Sequence, residues 1–244
     1  MLADTLRALA GRRLTDVEGH GHTIELLPPT TAEQLSRVEA AAPAPLPPDI
    51  REALGVATGL ANGPLESFSL VDLEGFGLEE AFPCPWSVAH DGFGNYWILD
   101  LLPDSTTWGP VFFACHDPPV IAWQSATLDD FLRDVIALWD SPRRSPVAFV
   151  RDEVVHRIWR DHPDAVPTAA ATGGPDPLLR ELALSLPASA VITDLRRAGL
   201  GQGFAWGRFG PRTVVTRAGR ERVWAVHAPE RRPGLFRRLF GSPS

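Results

Sequence analysis

Between Trp86 and Trp123 the chain alternates short apolar runs, rich in β-branched and aromatic residues, with clusters of Gly, Pro, Asp and Asn. Runs of this length and punctuation predict strands joined by tight turns rather than helices. They place strands near 86–89, 95–101, 110–115 and 120–124. The turn Asp91-Gly92-Phe93-Gly94-Asn95 is built of residues that tolerate positive φ, so a reversal there costs little. His116-Asp117-Pro118-Pro119 interrupts the next ladder, because proline fixes φ and donates no N–H.

Around this strand-rich centre the spacing changes to that of helices. Met1 to Arg13 reads as a short amphipathic helix; Asp4 and the lack of a long apolar stretch argue against a signal peptide. Thr23 to Leu27 reads as a strand. Thr30 with Glu33 is a capping-box signal for a helix to about Ala42, ended by Pro43 and Pro45. Pro47-Pro48 opens another helix, with Ile50, Ala53, Leu54 and Ala57 on one face and Gly59 and Asn62-Gly63 as its stop. Phe68 to Val71 follows as a strand. Thr127 caps a helix whose core face carries Leu128, Phe131, Leu132, Val135, Leu138 and Trp139. Beyond residue 146, helices are expected at Val147 to Trp159 and Leu178 to Leu186, around a loop from Pro163 to Pro177. A meander is expected of Phe204 to Phe209, Thr213 to Thr216 and Arg222 to Val226.

Charge divides the chain. Residues 1–140 hold 6 Arg against 21 acids, and residues 141–244 hold 17 Arg against 9 acids. With Pro142 and Pro146 framing Arg143-Arg144, this predicts a boundary near 141–146. We expect a first domain over 1–140, a small α+β domain over 146–229 and a basic amphipathic tail over 230–244. In that tail Leu235, Phe236, Leu239 and Phe240 share a helical face, a pattern that offers at most weak membrane contact. No apolar run approaches the roughly 20 residues needed to span a bilayer, and a cytoplasmic location is expected. Cys84 and Cys115 are the only cysteines and read as buried thiols.

An ordered set of motifs runs through the first domain. It comprises Leu46-Pro47-Pro48-Asp49-Ile50, Asn62-Gly63, Asp91 to Asn95, Leu99-Asp100-Leu101, Gly109-Pro110-Val111, His116-Asp117 and the helix Leu128 to Trp139. In this order they resemble the SUKH superfamily over roughly residues 25 to 140. That group holds the Smi/Knr-type regulators of cell-wall and glucan synthesis and many bacterial immunity proteins. The resemblance implies an α+β fold, with a mainly antiparallel sheet of about five or six strands flanked by helices. Asp91, Gly92, Gly94, Asn95, Asp100, His116 and Asp117 stand as the family-motif structural residues.

The resemblance also implies a non-catalytic protein-binding module. Its partner would be a toxin, for an immunity-type protein, or a cell-envelope synthesis component, for a scaffold. No cofactor or metal is expected, since the chain shows no motif with the spacing of such a site, and no nucleic acid, since an acidic domain repels phosphate. One sheet face or cleft would meet the partner, with exposed aromatics as anchors. The candidates are Phe93, which sits at a turn tip, Tyr96 and Trp108; Trp97 and Trp123 are expected in the core. Glu66, Asp72, Glu74, Glu79 and Glu80 would steer a basic partner.

A second class is an enzyme using the cluster from Asp91 to Asp117. Imidazoles and carboxylates at His90-Asp91, Asp100 and His116-Asp117 are chemically able ligands, but their spacing matches no motif with a mechanism. Cys115 and His116 are consecutive strand residues and point to opposite faces, which prevents a nucleophile and base pair. Asp91, Asn95 and Asp117 are expected to satisfy backbone donors in their own turns, and His20 and His22 to face solvent in a Gly-rich loop.

Overall fold

The computed structural model describes residues 1–16, 18–72, 76–102 and 108–229. The tail expected over 230–244 therefore lies outside the described residues. The fold is mixed α+β, centred on an antiparallel seven-stranded sheet. Its middle is the strand-rich segment: β5 (Pro85–His90), β6 (Tyr96–Asp100), β7 (Val111–His116) and β8 (Pro119–Ser125), each hydrogen-bonded to the next. Beyond β5 the sheet continues through β4 (Ser67–Ser69) to β3 (Gly59–Leu60). Glu25 to Leu27 extends that edge, with Leu27 N–H donating to Gly59 O at 2.9 Å and Ala61 N–H to Glu25 O at 2.8 Å.

Because successive strand residues face opposite ways, the apolar runs supply two cores at once. Trp97, Leu99, Val111, Phe113, Cys115, Val120 and Ala122 face the helical layer. That layer holds α1 (Leu2–Leu9), α3 (Pro48–Leu54) and α4 (Leu128–Asp140). It continues through α5 (Pro146–Phe149), a π turn at Val150–Val154 and α6 (Val155–Asp161). Ile98, Phe112, Ala114, Ile121 and Trp123 face the other way, onto residues from the C-terminal half. Strands buried on both faces read as near-continuous apolar runs instead of an alternation, and Val111 to Cys115 and Val120 to Trp123 have that character.

The second face is closed by a four-stranded antiparallel sheet. It is made of β9 (Ala165–Pro167), β10 (Val191–Asp194), β12 (Val214–Arg217) and β13 (Val223–His227), in the order β12, β13, β10, β9. Trp224 and Val226 of β13 meet the first sheet, while Val223 and Ala225 point outward onto α7 (Thr168–Thr172) and α8 (Pro177–Leu184). The remaining strand, β11 (Gly203–Phe204), joins the first sheet beside β8. A Cβ at Gly203 would collide with the Ile121 carbonyl, so only glycine allows that approach. The C-terminal half thus both extends the first sheet and stacks a second sheet on it.

Several local expectations are corrected. The helix after the first hairpin, α2 (Ala32–Ala41), starts one residue later than Thr30 and Glu33 suggest. Thr31 is its cap, accepting from Gln34 N–H, while the Gln34 side chain accepts from Thr31 N–H. Thr30 Oγ1 donates to Leu54 O at 3.1 Å instead. The expected strand from Thr23 is split. Gly21–Thr23 (β2) pairs with Arg13–Thr15 (β1), and Leu26 reaches the main sheet through an isolated bridge to Leu60. Of Phe204 to Phe209 only Phe204 is in a strand, because Trp206 turns back to donate its Nε1–H to Cys115 O at 3.1 Å. The expected loop after Pro163 contains β9 and α7, and β10 was not anticipated although Val191-Ile192-Thr193 is a β-branched run.

Candidate protein-binding surface at the hairpin tips

The β5–β6 hairpin closes through the turn from Asp91 to Asn95, where Gly92 and Gly94 adopt φ of 77° and 87°. These are left-handed values that glycine takes without strain. The Asp91 carboxylate organises the turn. Its Oδ1 accepts from Phe93 N–H at 2.9 Å and Asn95 N–H at 3.3 Å, and its Oδ2 accepts from the Asn95 side-chain amide at 2.7 Å. Asn95 then ties this hairpin to the next one, its Oδ1 accepting from His116 N–H at 3.1 Å with the His116 ring Nδ1 also at 3.1 Å. The His116 ring lies against Gly94 and the Glu66 side chain lies against Gly92. Phe93, between the two glycines, is 79% exposed, more than any other large hydrophobic among the described residues.

The other proposed anchors are not available in this way. Trp108 is buried, its ring 4.9 Å from that of Trp86, so it belongs to the core and is corrected as an interface candidate. Tyr96 is half-buried between Phe76, at 5.8 Å, and His90, at 6.0 Å. Trp97 and Trp123 are buried. Neither face of the central part of the sheet is open, so the expected presentation of a sheet face is corrected as well; what reaches solvent is the row of hairpin tips.

The acids are dispersed. Glu66 is exposed beside the turn, and Asp72 is half-buried. Glu79 and Glu80 are exposed on the turn that flanks Ala81, whose carbonyl bonds Arg217 and Trp224 at the far end of β6. Glu74 lies outside the described residues. His116 and Asp117 are exposed at the tip of the β7–β8 hairpin. Arg151 is held above its ordinary range chiefly by its hydrogen bond to Asp152, with Asp91 as the smallest contribution in the same direction.

The opposite end of β6 carries the contact that sequence reasoning missed. Asp100 is 1% exposed and receives a fork from Arg217, with Nη1 to Oδ1 at 2.6 Å and Nη2 to Oδ2 at 2.9 Å. Arg222 Nε adds a third bond to Oδ2 at 3.1 Å. The Arg217 guanidinium lies 4.9 Å over the Trp224 ring and also donates to Ala81 O at 3.1 Å. Both carboxylate oxygens are therefore engaged. The pairing of an Asp in the acidic half with Arg in the basic half is a signal that the charge asymmetry contained only in aggregate.

Chemically the cluster from Asp91 to Asp117 builds a shape. Cys115 is buried on the helical face, and burial pushes its thiol up to about 11, which leaves it protonated at neutral pH. His116 is exposed on the other side of the strand and already engaged with Asn95. Among the described residues no group of His, Cys, Asp and Glu comes together in a way that could hold a metal. Among those residues no helix is long and apolar enough to cross a membrane. His22 is also less free than expected: it stacks on Trp139 at 5.1 Å and bonds Asp16 at 2.8 Å, an interaction that lowers the Asp16 carboxyl to about 2.

An antiparallel sheet backed by helices, with polar residues invested in turns, defines a mixed α+β module. Residues 29–134 match the SMI1 / KNR4 family (SUKH-1), which is consistent with a SUKH-type domain over that segment and with a protein-binding module in general. The match takes in α2 through the first half of α4, including the turn of Asp91 and the strand end at Asp100. Neither the curated proteins nor the solved structures compared with the chain include a significant match.

Proposed function

We propose that this chain is a protein-binding module of the immunity type, which neutralises a toxin by occupying it. The observation that supports this reading is the hydrogen bonding of Asp91, Asn95 and His116 among themselves, which ties two hairpin tips into one protrusion. The acidic balance of residues 1–140, 6 Arg against 21 acids, supports a basic partner. A regulatory scaffold of envelope synthesis is the competing reading within the same family.

The test is a pull-down with the full chain as bait at low and high salt. A basic enzyme that is retained, released by salt and inhibited by the bait supports the immunity reading. Recovery of envelope-synthesis components replaces it with the scaffold reading. Salt-independent retention removes the electrostatic part, because contacts between exposed charges are screened over about 8–10 Å at physiological ionic strength.

A further inference from the structure

We infer that Phe93 is the central anchor of the partner interface, a fixed aromatic knob that enters an apolar pocket rimmed by Arg or Lys on a protein. This rests on the protein-binding reading above and goes on to name the contact. Three observations converge on it. First, a ring 79% exposed is carried on a turn whose backbone the Asp91 carboxylate holds through Phe93 N–H, Asn95 N–H and the Asn95 amide, so its point of attachment is set before any partner arrives. Pre-ordering of this kind removes part of the entropy cost of association. Second, the remaining aromatics of the central strands are buried or half-buried, so this ring alone among them offers a large free face. Third, exposed carboxylates flank it: Glu66 against Gly92, and Asp117 on the neighbouring tip.

That surround decides the class of occupant. Carboxylates beside the ring repel nucleic-acid phosphates and anionic lipid headgroups and favour a cationic rim. Of the basic groups on that side, Arg151 is held by Asp152, and Arg208, next to the Gly207 whose N–H bonds Pro119 O, lies over the Phe209 ring. A protein pocket with an apolar floor and guanidinium or ammonium edges satisfies both the ring and its neighbours, and buried aromatic anchors are typical centres of such interfaces.

The experiment uses the full chain with a benzophenone-bearing phenylalanine in place of Phe93, and a second sample with the same probe in place of Leu184, 74% exposed on α8. Both are irradiated in lysate of the cells that make the protein, beside an unmodified bait. The inference expects one protein adduct specific to position 93, with the cross-linked peptide apolar and flanked by Arg or Lys. Phe93→Ala should then weaken binding of that protein on the order of 10- to 100-fold with its thermal unfolding unchanged. Glu66→Gln with Asp117→Asn should flatten the salt dependence of the association rate. A bait that retains a partner while position 93 yields no specific adduct overturns the knob and leaves the binding reading standing. Adducts to lipid or nucleic acid overturn the choice of occupant. A bait that retains nothing overturns both.

Discussion

Asp91 and Asp100 stand at opposite ends of the β5–β6 hairpin and do opposite work with the same carboxylate. Asp91 binds donors within four residues of itself and shapes a turn in contact with water. Asp100 binds two arginines more than a hundred residues away and fastens the second sheet over the first, out of contact with water. A charge removed from water must be matched by partners in good geometry, whereas an exposed one keeps solvent as an alternative. The difference shows that a polar residue at a strand end has no role by itself; its surroundings assign one, and one end of the hairpin is thereby closed while the other is left to meet a partner.

The comparison can be broken most forcefully at the buried end. Asp100→Ala strands the guanidiniums of Arg217 and Arg222, and urea unfolding should report a loss of about 3–5 kcal/mol. Asp100→Leu combined with Arg217→Met should cost less than the sum of the two single changes, since the pair is removed together. A loss under about 1 kcal/mol for Asp100→Ala would mean that water serves the arginines equally well, and the two ends would no longer differ.

At the open end, Asp91→Ala removes acceptors from a partly exposed turn. A loss of about 1–2 kcal/mol is expected, with faster amide exchange at Phe93 and Asn95. Phe93→Ala should change stability by less than about 0.5 kcal/mol while weakening the partner complex; a large drop in Tm would show the ring to be structural.

The smallest effect is expected at a third aspartate, Asp16, which like Asp91 serves a turn. It accepts from His20 N–H at 2.8 Å and bonds His22 at 2.8 Å, and its pKa is lowered from 3.8 to about 2. A depressed carboxyl stabilises the fold above its unfolded value, and the contribution is lost as pH falls from about 3.8 through about 2. An NMR titration of Asp16 should show this midpoint, and His22→Ala should move it back up.

Much of the central sheet is legible along the chain. The strand runs, the breaks at Asp91 to Asn95 and at Pro118, the cap at Thr127 and the core face of α4 are local statements, each set by residues within a few positions. The seven strands differ from the expected five or six in two places: β3 forms at Gly59–Leu60, where a helix stop was expected, and β11 arrives from the C-terminal half, a non-local pairing. The one-residue shift from Thr30 to Thr31 shows how far a capping signal can be trusted when two hydroxyl residues adjoin. Trp108 illustrates the opposite limit: an aromatic beside Gly109-Pro110 looks exposed until Trp86 is brought against it. Phe93 was identifiable because a residue between two left-handed glycines at a hairpin tip has little protein within reach.

Along the chain alone one reads the four central strands and their turns, the helix capped by Thr127, the ordered motifs that resemble a family, and the opposite charge of the two halves. These follow from short-range sterics and from periodicity, which act along the chain. That the C-terminal half lies across the second face of the sheet, with Asp100 as its fastening, emerges from the folded chain alone. The fold likewise left Phe93 without a core to enter while Trp86, Trp97 and Trp108 found one. Burial and ion pairing depend on which distant residues converge, and that convergence is a property of the fold.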